Sequence, residues 1–266
     1  MWEILLPFLG FMIGTVAALT GIGGGVFIVP LLTLIFAFSP ANAAGTSLTV
    51  IVFTAIAATL NYSKQKRISY RNGALLAAVT APGGILGGYL TTVLSANVLG
   101  LFFGFFMIIF VALPMAINPN SLRLKRSSNS RSGTPDVKSS GASFGSLQKV
   151  MLGAILGFLA GIASGLLGIG GGVLIVPILT LVVDMPIHFA TATSMFTMSF
   201  TSTLEALQHY FANQTNFEYA LLLALGTVIG AQVGAYVSKK TSGKNLRRIF
   251  GVVIVIVGIQ MILKYI

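Results

Sequence analysis

One carboxylate stands alone inside a long apolar stretch of this 266-residue chain: Glu205, followed by Gln208 and, one helical turn on, by His209. On a helix the three share nearly one face. An acid and an imidazole at that spacing could exchange a proton, which would suit them to proton coupling or to gating. The structural alternative is a carboxylate about two turns from the end of its segment that snorkels or is paired and has no further role. A second group with chemical potential is made of backbone. Gly21-Ile22-Gly23-Gly24-Gly25 and Gly168-Ile169-Gly170-Gly171-Gly172 each interrupt an apolar stretch, and missing β-carbons permit positive φ and close backbone approach. The helices resuming at Val26 and Val173 would turn free amides and a positive dipole end toward whatever lies between the knots, an arrangement for a small oxyanion. Alternatively the glycines only form tight hairpins and let helices pack closely, as the four-residue pairs Gly10/Gly14, Gly83/Gly87, Gly157/Gly161 and Gly230/Gly234 would do.

Thr46-Ser47 and Thr193-Ser194 open the span that follows each knot. Their hydroxyls can donate to a ligand, bond back to their own helix or join two helices. Pro30 and Pro177 come a turn or so after each knot, where they would kink the resumed helix or mark its first turn. Two nucleotide readings fail: Val26 and Val173 stand where a phosphate-binding loop needs Lys, and no soluble strand-turn-helix unit surrounds the glycines.

The elements that must hold these residues come in duplicate. Gly10 to Leu34 returns as Gly157 to Leu181 at an offset of 147, identical at sixteen of twenty-five positions. The offset persists in Thr46-Ser47 with Thr193-Ser194, in Gly83, Gly87 and Tyr89 with Gly230, Gly234 and Tyr236, and in Gly104 with Gly251. Glu205 breaks it, because its counterpart is Ala58. Composition decides the solvent: 55% hydrophobic and 8% charged residues cannot be arranged as one water-soluble core with a charged skin. No Asp, Glu, Lys, Arg or His occurs in 4–63, 72–122, 150–183, 219–238 or 249–263, each long enough for one or more spans of about 20 residues. The fold class expected is an all-α, polytopic transmembrane helical bundle of two inverted-topology repeats, each with a glycine-broken helical hairpin. The spans expected are 4–38, 41–61, 72–90 and 98–117, then 150–183, 188–211, 217–237 and 246–265. The repeats occupy 1–117 and 149–266, with a polar, Ser- and Lys/Arg-rich linker at 118–148. The first segment lacks the basic start of a signal peptide and recurs internally, so it is expected to belong to the fold.

Charge supplies the expected orientation. Lys64, Lys66, Arg67 and Arg71 follow the second segment of repeat one, whereas Lys239, Lys240, Lys244, Arg247 and Arg248 follow the third segment of repeat two. If basic loops stay cytoplasmic, these loops and the linker lie inside and both termini outside, with Lys264 alone on the outer side. Each glycine-broken segment then enters and leaves on one side, as two short spans of roughly 26 Å or as a re-entrant hairpin. Most of the +11 net charge is thereby explained without nucleic acid. No cysteine is present, which removes disulfides, thiolate metal sites and cysteine nucleophiles. No metal and no cofactor is expected. An intramembrane enzyme would need a clustered catalytic set that two histidines and one deep carboxylate do not supply.

The doubled pattern of Gly10, Gly14, Gly21, Gly23 to Gly25, Pro30 and Gly157, Gly161, Gly168, Gly170 to Gly172, Pro177, one copy in each half, resembles the sulfite exporter TauE/SafE family of membrane transporters. The resemblance implies movement of sulfite, an organosulfonate or a related sulfur-containing anion across the cytoplasmic membrane, usually outward. The expected substrate-binding residues are Gly21, Gly23, Gly24, Gly25, Thr46, Ser47, Gly168, Gly170, Gly171, Gly172, Thr193 and Ser194. The expected partners are a small anion and the lipid bilayer, with the oligomeric state open. A secondary transporter working by alternating access is the leading expectation, and a passive anion channel on the same scaffold is the alternative.

Overall fold

Apolar chain far from water must satisfy its own backbone, which leaves the helix as the simplest solution. The computed structural model describes residues 2–112, 147–238 and 258–266, and among these no strand occurs. The first half contains α1 (Trp2–Thr20), α2 (Gly25–Pro30), α3 (Pro40–Lys64), α4 (Tyr70–Val93) and α5 (Ala96–Phe106). The second contains α6 (Leu147–Leu167), α7 (Gly172–Pro177), α8 (Ile187–Phe211) and α9 (Phe217–Val237), followed by helix at 258–265. Most of the expected linker and nearly all of the basic loop at 238–248 lie outside the described residues. Among the described residues four helices are long and apolar enough to cross a membrane: Pro40–Lys64, Tyr70–Val93, Gln148–Leu167 and Phe217–Val237. Helix α8 is as long as α3, at 25 residues, but its buried face carries Thr193, Ser194, Thr197, Thr201, Ser202, Glu205 and His209.

The glycine-broken segments have unequal limbs. Helix α1 has 19 residues, about 28 Å of helix. The return limb is six α-helical residues and a five-residue π-helical turn, Leu31–Ile35, about 16 Å long if taken as continuous helix. Of the two forms left open by the sequence, two short spans of similar length are not found: a long limb is followed by a half-length return. Pro30 ends α2 where the π turn begins, and Pro177 does so before Ile178–Val182. Neither proline marks a first turn. Lacking an N–H, each interrupts the i to i−4 ladder where the helix widens.

The helices of the two halves interleave. Backbone of α1 lies against α9 in parallel, so that a methyl on Gly10 would collide with Leu223, on Gly14 with Thr227, on Gly230 with Phe11 and on Gly234 with Thr15. Helix α4 meets α6 in the same way, through Gly83 with Phe158, Gly87 with Ile162 and Gly161 with Thr80, whereas Gly157 meets only side chains of α4. Small residues here let backbones approach in the manner of glycine-zipped membrane helices. Counterparts α3 and α8 lie antiparallel. Thr46, at the start of α3, accepts the Asn216 amide beyond the end of α8 at 3.0 Å, and Thr193, at the start of α8, accepts the Ser69 amide beyond the end of α3 at 3.0 Å. Duplication extends to the turns: among the described residues the non-glycine positions with positive φ are Ala37 and Asp184, Lys66 and Asn213, two pairs at the repeat offset with φ from 55° to 57°.

Leu60, Val93, Leu225 and Ile229 are among the large side chains that point outward, whereas polar groups collect inside. That distribution is inverted relative to a water-soluble protein and suits a lipid surround.

Candidate functional site

The two knots meet in the middle of the bundle. Gly23 lies against Met198 and Ile51, and Gly170 against Ile51 and Ser202, residues near the centres of α8 and α3. A methyl on Gly25 would strike Gly168 O and Ile169, and one on Gly172 would strike Gly21 O and Ile22. Here the close-packing reading holds. Gly24 and Gly171 precede α2 and α7 with φ of 92° and 73°, in a left-handed region that costs other residues about 1–3 kcal/mol. A left-handed residue followed by a right-handed one turns successive amides to one side, the form of a backbone anion nest. The amides of Gly23, Gly24 and Gly25 and of Gly170, Gly171 and Gly172 make no hydrogen bond among the described residues, although all six glycines are buried. Buried unpaired amides are rare in folded proteins.

The serines expected beside the knots are fastened to them. Ser47 Oγ donates to Gly168 O at 2.7 Å, and Ser194 Oγ donates to Gly21 O at 2.9 Å. Each serine thus pins the knot of the opposite half. Both bonds occupy carbonyls, the groups that would repel an anion, and leave the amides free. Thr46 and Thr193 hold the loops Asn216 and Ser69 instead.

Glu205 is fully buried. Ser164 Oγ donates to its Oε2 at 2.7 Å, while Oε1 has no hydrogen-bond partner among the described residues. Gly84 of α4 lies so close that a methyl there would collide with the carboxylate, and Gly88 stands likewise under Gln208, whose Oε1 is also unpartnered. His209 Nε2 lies 2.9 Å from Gly165 O, and its Nδ1 lies 2.8 Å from the Gln214 side-chain amide. The carbonyl can only accept, so Nε2 carries a hydrogen. Glu205 and His209, expected as an exchanging pair, share no hydrogen bond. Each is drawn instead to its own partner on α6, the adjacent residues Ser164 and Gly165.

Sequence reasoning passed over Ser164, which holds Glu205, and Thr80, Thr201 and Ser202, all of them fully buried. For two of them the offset held a clue: Ser164 and Ser202 answer to Ala17 and Ala55, polar residues standing where the other half is apolar. Among the described residues no group of three or more His, Cys, Asp or Glu could hold a metal ion.

Apolar helices interleaved about two buried knots, with polar groups turned inward, define a multi-pass helical membrane protein of the transporter class. The chain belongs to the sulfite exporter TauE/SafE family, whose model matches residues 6–261. It is 33% identical over 272 residues, 97% of each chain, to the "Probable membrane transporter protein YunE" of Bacillus subtilis. It is 28% identical to the "Probable membrane transporter protein MJ0441" of Methanocaldococcus jannaschii, covering 98% of this chain and 96% of that one. A shorter match, 33% identical over 39% of this chain and 21% of the other, joins it to "Sulfite exporter TauE/SafE family protein 3" of Arabidopsis thaliana. No solved structure matches it.

Proposed function

We propose that the protein is a secondary transporter that carries a small sulfur-containing oxyanion, sulfite or an organosulfonate, outward across the cytoplasmic membrane. The observation that carries this reading is the set of six buried glycine amides without acceptors among the described residues, contributed equally by two facing knots. Donors of that kind can hold an oxyanion without burying a fixed positive charge. The family description supplies the substrate class.

In the structure the knots are closed on each other, so substrate access requires them to part. Helix α1 packs on α9 and α9 on α3, α6 packs on α4 and α4 on α8, and these two groups meet along α3 and α8, beside which the knots lie. Alternating access then consists of rocking one group against the other, each group containing helices from both halves. The basic loops and the linker face the cytoplasm in this reading, and both termini face outward. Energy comes from an ion or substrate gradient, and Glu205 is the group that binds the coupling ion.

Counterflow tests the proposal. Proteoliposomes loaded with unlabelled sulfite should accumulate labelled sulfite transiently and saturably. Uptake that is linear in concentration and insensitive to internal sulfite would indicate a passive pore, and no uptake would dismiss sulfite as substrate.

A further inference from the structure

We infer that Glu205, Thr80, Thr201 and Ser202 form a binding site for a single sodium ion beside the knots; its role in transport rests on the transporter reading, but its existence does not. Four buried oxygen atoms on the packed helices α4 and α8 have no hydrogen-bond partner among the described residues: Thr80 Oγ1, Thr201 Oγ1, Ser202 Oγ and Glu205 Oε1, on residues that are all fully buried. Thr201 and Ser202 precede Glu205 by one turn and flank it on α8. Thr80 lies one turn before Gly84, the residue of α4 pressed against the Glu205 carboxylate.

The other half of the molecule shows what this place looks like when nothing needs to bind. There Thr54 and Thr227, the counterparts of Thr201 and Thr80, bond to each other at 2.8 Å, and Ala55 and Ala58 stand where Ser202 and Glu205 are found. The Glu205 side has the same two threonines unbonded, with an added hydroxyl and an added carboxylate. Leaving such groups unsatisfied in an apolar interior is costly, so their retention together points to a ligand they share.

The chemistry of the set selects the ligand. All four atoms are oxygens, the donors preferred by hard cations. One carboxylate balances one positive charge, and a divalent ion would leave an uncompensated charge in the interior. A proton on Glu205 brings one hydrogen and satisfies one hydroxyl oxygen at most, whereas a metal ion engages all three hydroxyls and the carboxylate. Helices α4 and α6 are drawn tightly together here, with Gly165 against the backbone of Gly84, which favours sodium over the larger potassium. Ser202 Oγ also lies beside Gly170, 3.3 Å from where a β-carbon there would stand. The cation therefore adjoins the proposed anion site, and each charge strengthens binding of the other.

The test is direct binding of radioactive sodium-22 to the full chain in lipid nanodiscs, with no flux involved. Saturable binding is expected, displaced by unlabelled sodium and not by potassium or choline. Thr201→Val and Ser202→Ala should each weaken it by about tenfold or more, Glu205→Gln should abolish it, and Ala55→Ser in the mirrored place should leave it unchanged. Size-exclusion profiles check that the variants stay folded, and the wild-type protein alone can refute the site. Absence of saturable sodium binding overturns the inference, as does binding unaffected in both hydroxyl variants, or a titration at Glu205 that responds to protons and not to sodium. Sulfite counterflow in a protein without sodium binding would overturn the ion site alone, and sodium binding without counterflow would overturn the transport reading alone.

Discussion

The surroundings of Glu205 and of Ala58 occupy equivalent places in the two halves, and they share a skeleton while differing in chemistry. In the first half Tyr62 of α3 donates its hydroxyl to Ala18 O of α1 at 2.6 Å. In the second, His209 of α8 sits 2.9 Å from Gly165 O of α6, the same carbonyl at the repeat offset. The fold therefore requires a polar side chain that ties the long helix to the first helix of its half, and either residue suffices. Beyond that tie the halves diverge. Ala58 has Ala17 as the counterpart of Ser164, and Ala231 and Ala235 as the counterparts of Gly84 and Gly88. The first half closes the space with methyl groups, and the second replaces them with a carboxylate and hydroxyls. Folding alone is served by the alanine version, so the acidic version marks the half with an added task. His209 falls on the structural side of this division, alongside Tyr62.

The largest expected effect comes from forcing the two places to become alike. Ala58→Glu puts a carboxylate where Ala17 offers no hydroxyl and Ala231 leaves less room than Gly84, and should destabilise the protein by about 3–5 kcal/mol, as an unpaired buried charge does. Adding Ala17→Ser recreates the partner that Ser164 gives Glu205 and should recover about 1–2 kcal/mol. Thermal unfolding in nanodiscs measures both. The reverse change, Glu205→Ala with Ser164→Ala, should cost far less stability. An Ala58→Glu protein as stable as the parent would show that the halves do not differ in the way described.

A smaller effect, and an equal one in both halves, is expected at the knots. Valine at Gly24 or Gly171 meets a positive φ of 92° or 73° and Ile13 or Ile175 at 3.1 or 3.2 Å from its β-carbon. Each substitution should lower sulfite counterflow by about 100-fold, equivalent to about 2.7 kcal/mol, while protein still reaches the membrane. Unequal losses would make one knot a spacer and confine the asymmetry of the molecule to more than the Glu205 side.

Much of this organisation is legible in the sequence for a physical reason. Apolar runs bounded by charges or turn residues have one solution in lipid, so the segments expected at 41–61, 72–90, 188–211 and 217–237 correspond to α3, α4, α8 and α9 with ends moved by a few residues. The knots are legible because no residue but glycine tolerates consecutive positive φ. What the spacing of residues along one helix does not disclose is the partner on the next. Glu205 and His209 look like a pair on a helical wheel, yet the positions of Ser164 and Gly165 on α6 separate them. Helix pairing also hides the reciprocal contacts of Ser47 and Ser194, because a hydroxyl near a glycine break reads equally as ligand donor, back-bonded residue or interhelical tie. The limbs of each hairpin are unequal because helix resumes only at Gly25 and Gly172 and ends, π turn included, at Ile35 and Val182, which apolar continuity through 4–38 and 150–183 conceals.

The smallest expected effect concerns those two serines. Ser47→Ala and Ser194→Ala each leave a buried knot carbonyl without its donor and should each cost about 1–2 kcal/mol, equal within about 0.5 kcal/mol. The bonds they remove are 2.7 and 2.9 Å long and lie at equivalent places, so the comparison isolates symmetry from chemistry. Their combination is more informative than either alone. Because Gly25 rests on Gly168 O and Gly172 on Gly21 O, the carbonyl held by each serine is also the surface on which the opposite knot sits. Freeing one carbonyl should loosen the seat of the other knot, and the double variant should depart from additivity by at least about 0.5 kcal/mol. Strict additivity in thermal unfolding would mean that the knots are held separately and that one can open without the other. A coupled loss would mean that they part as one element, which is the condition for a single central site that faces one side of the membrane at a time.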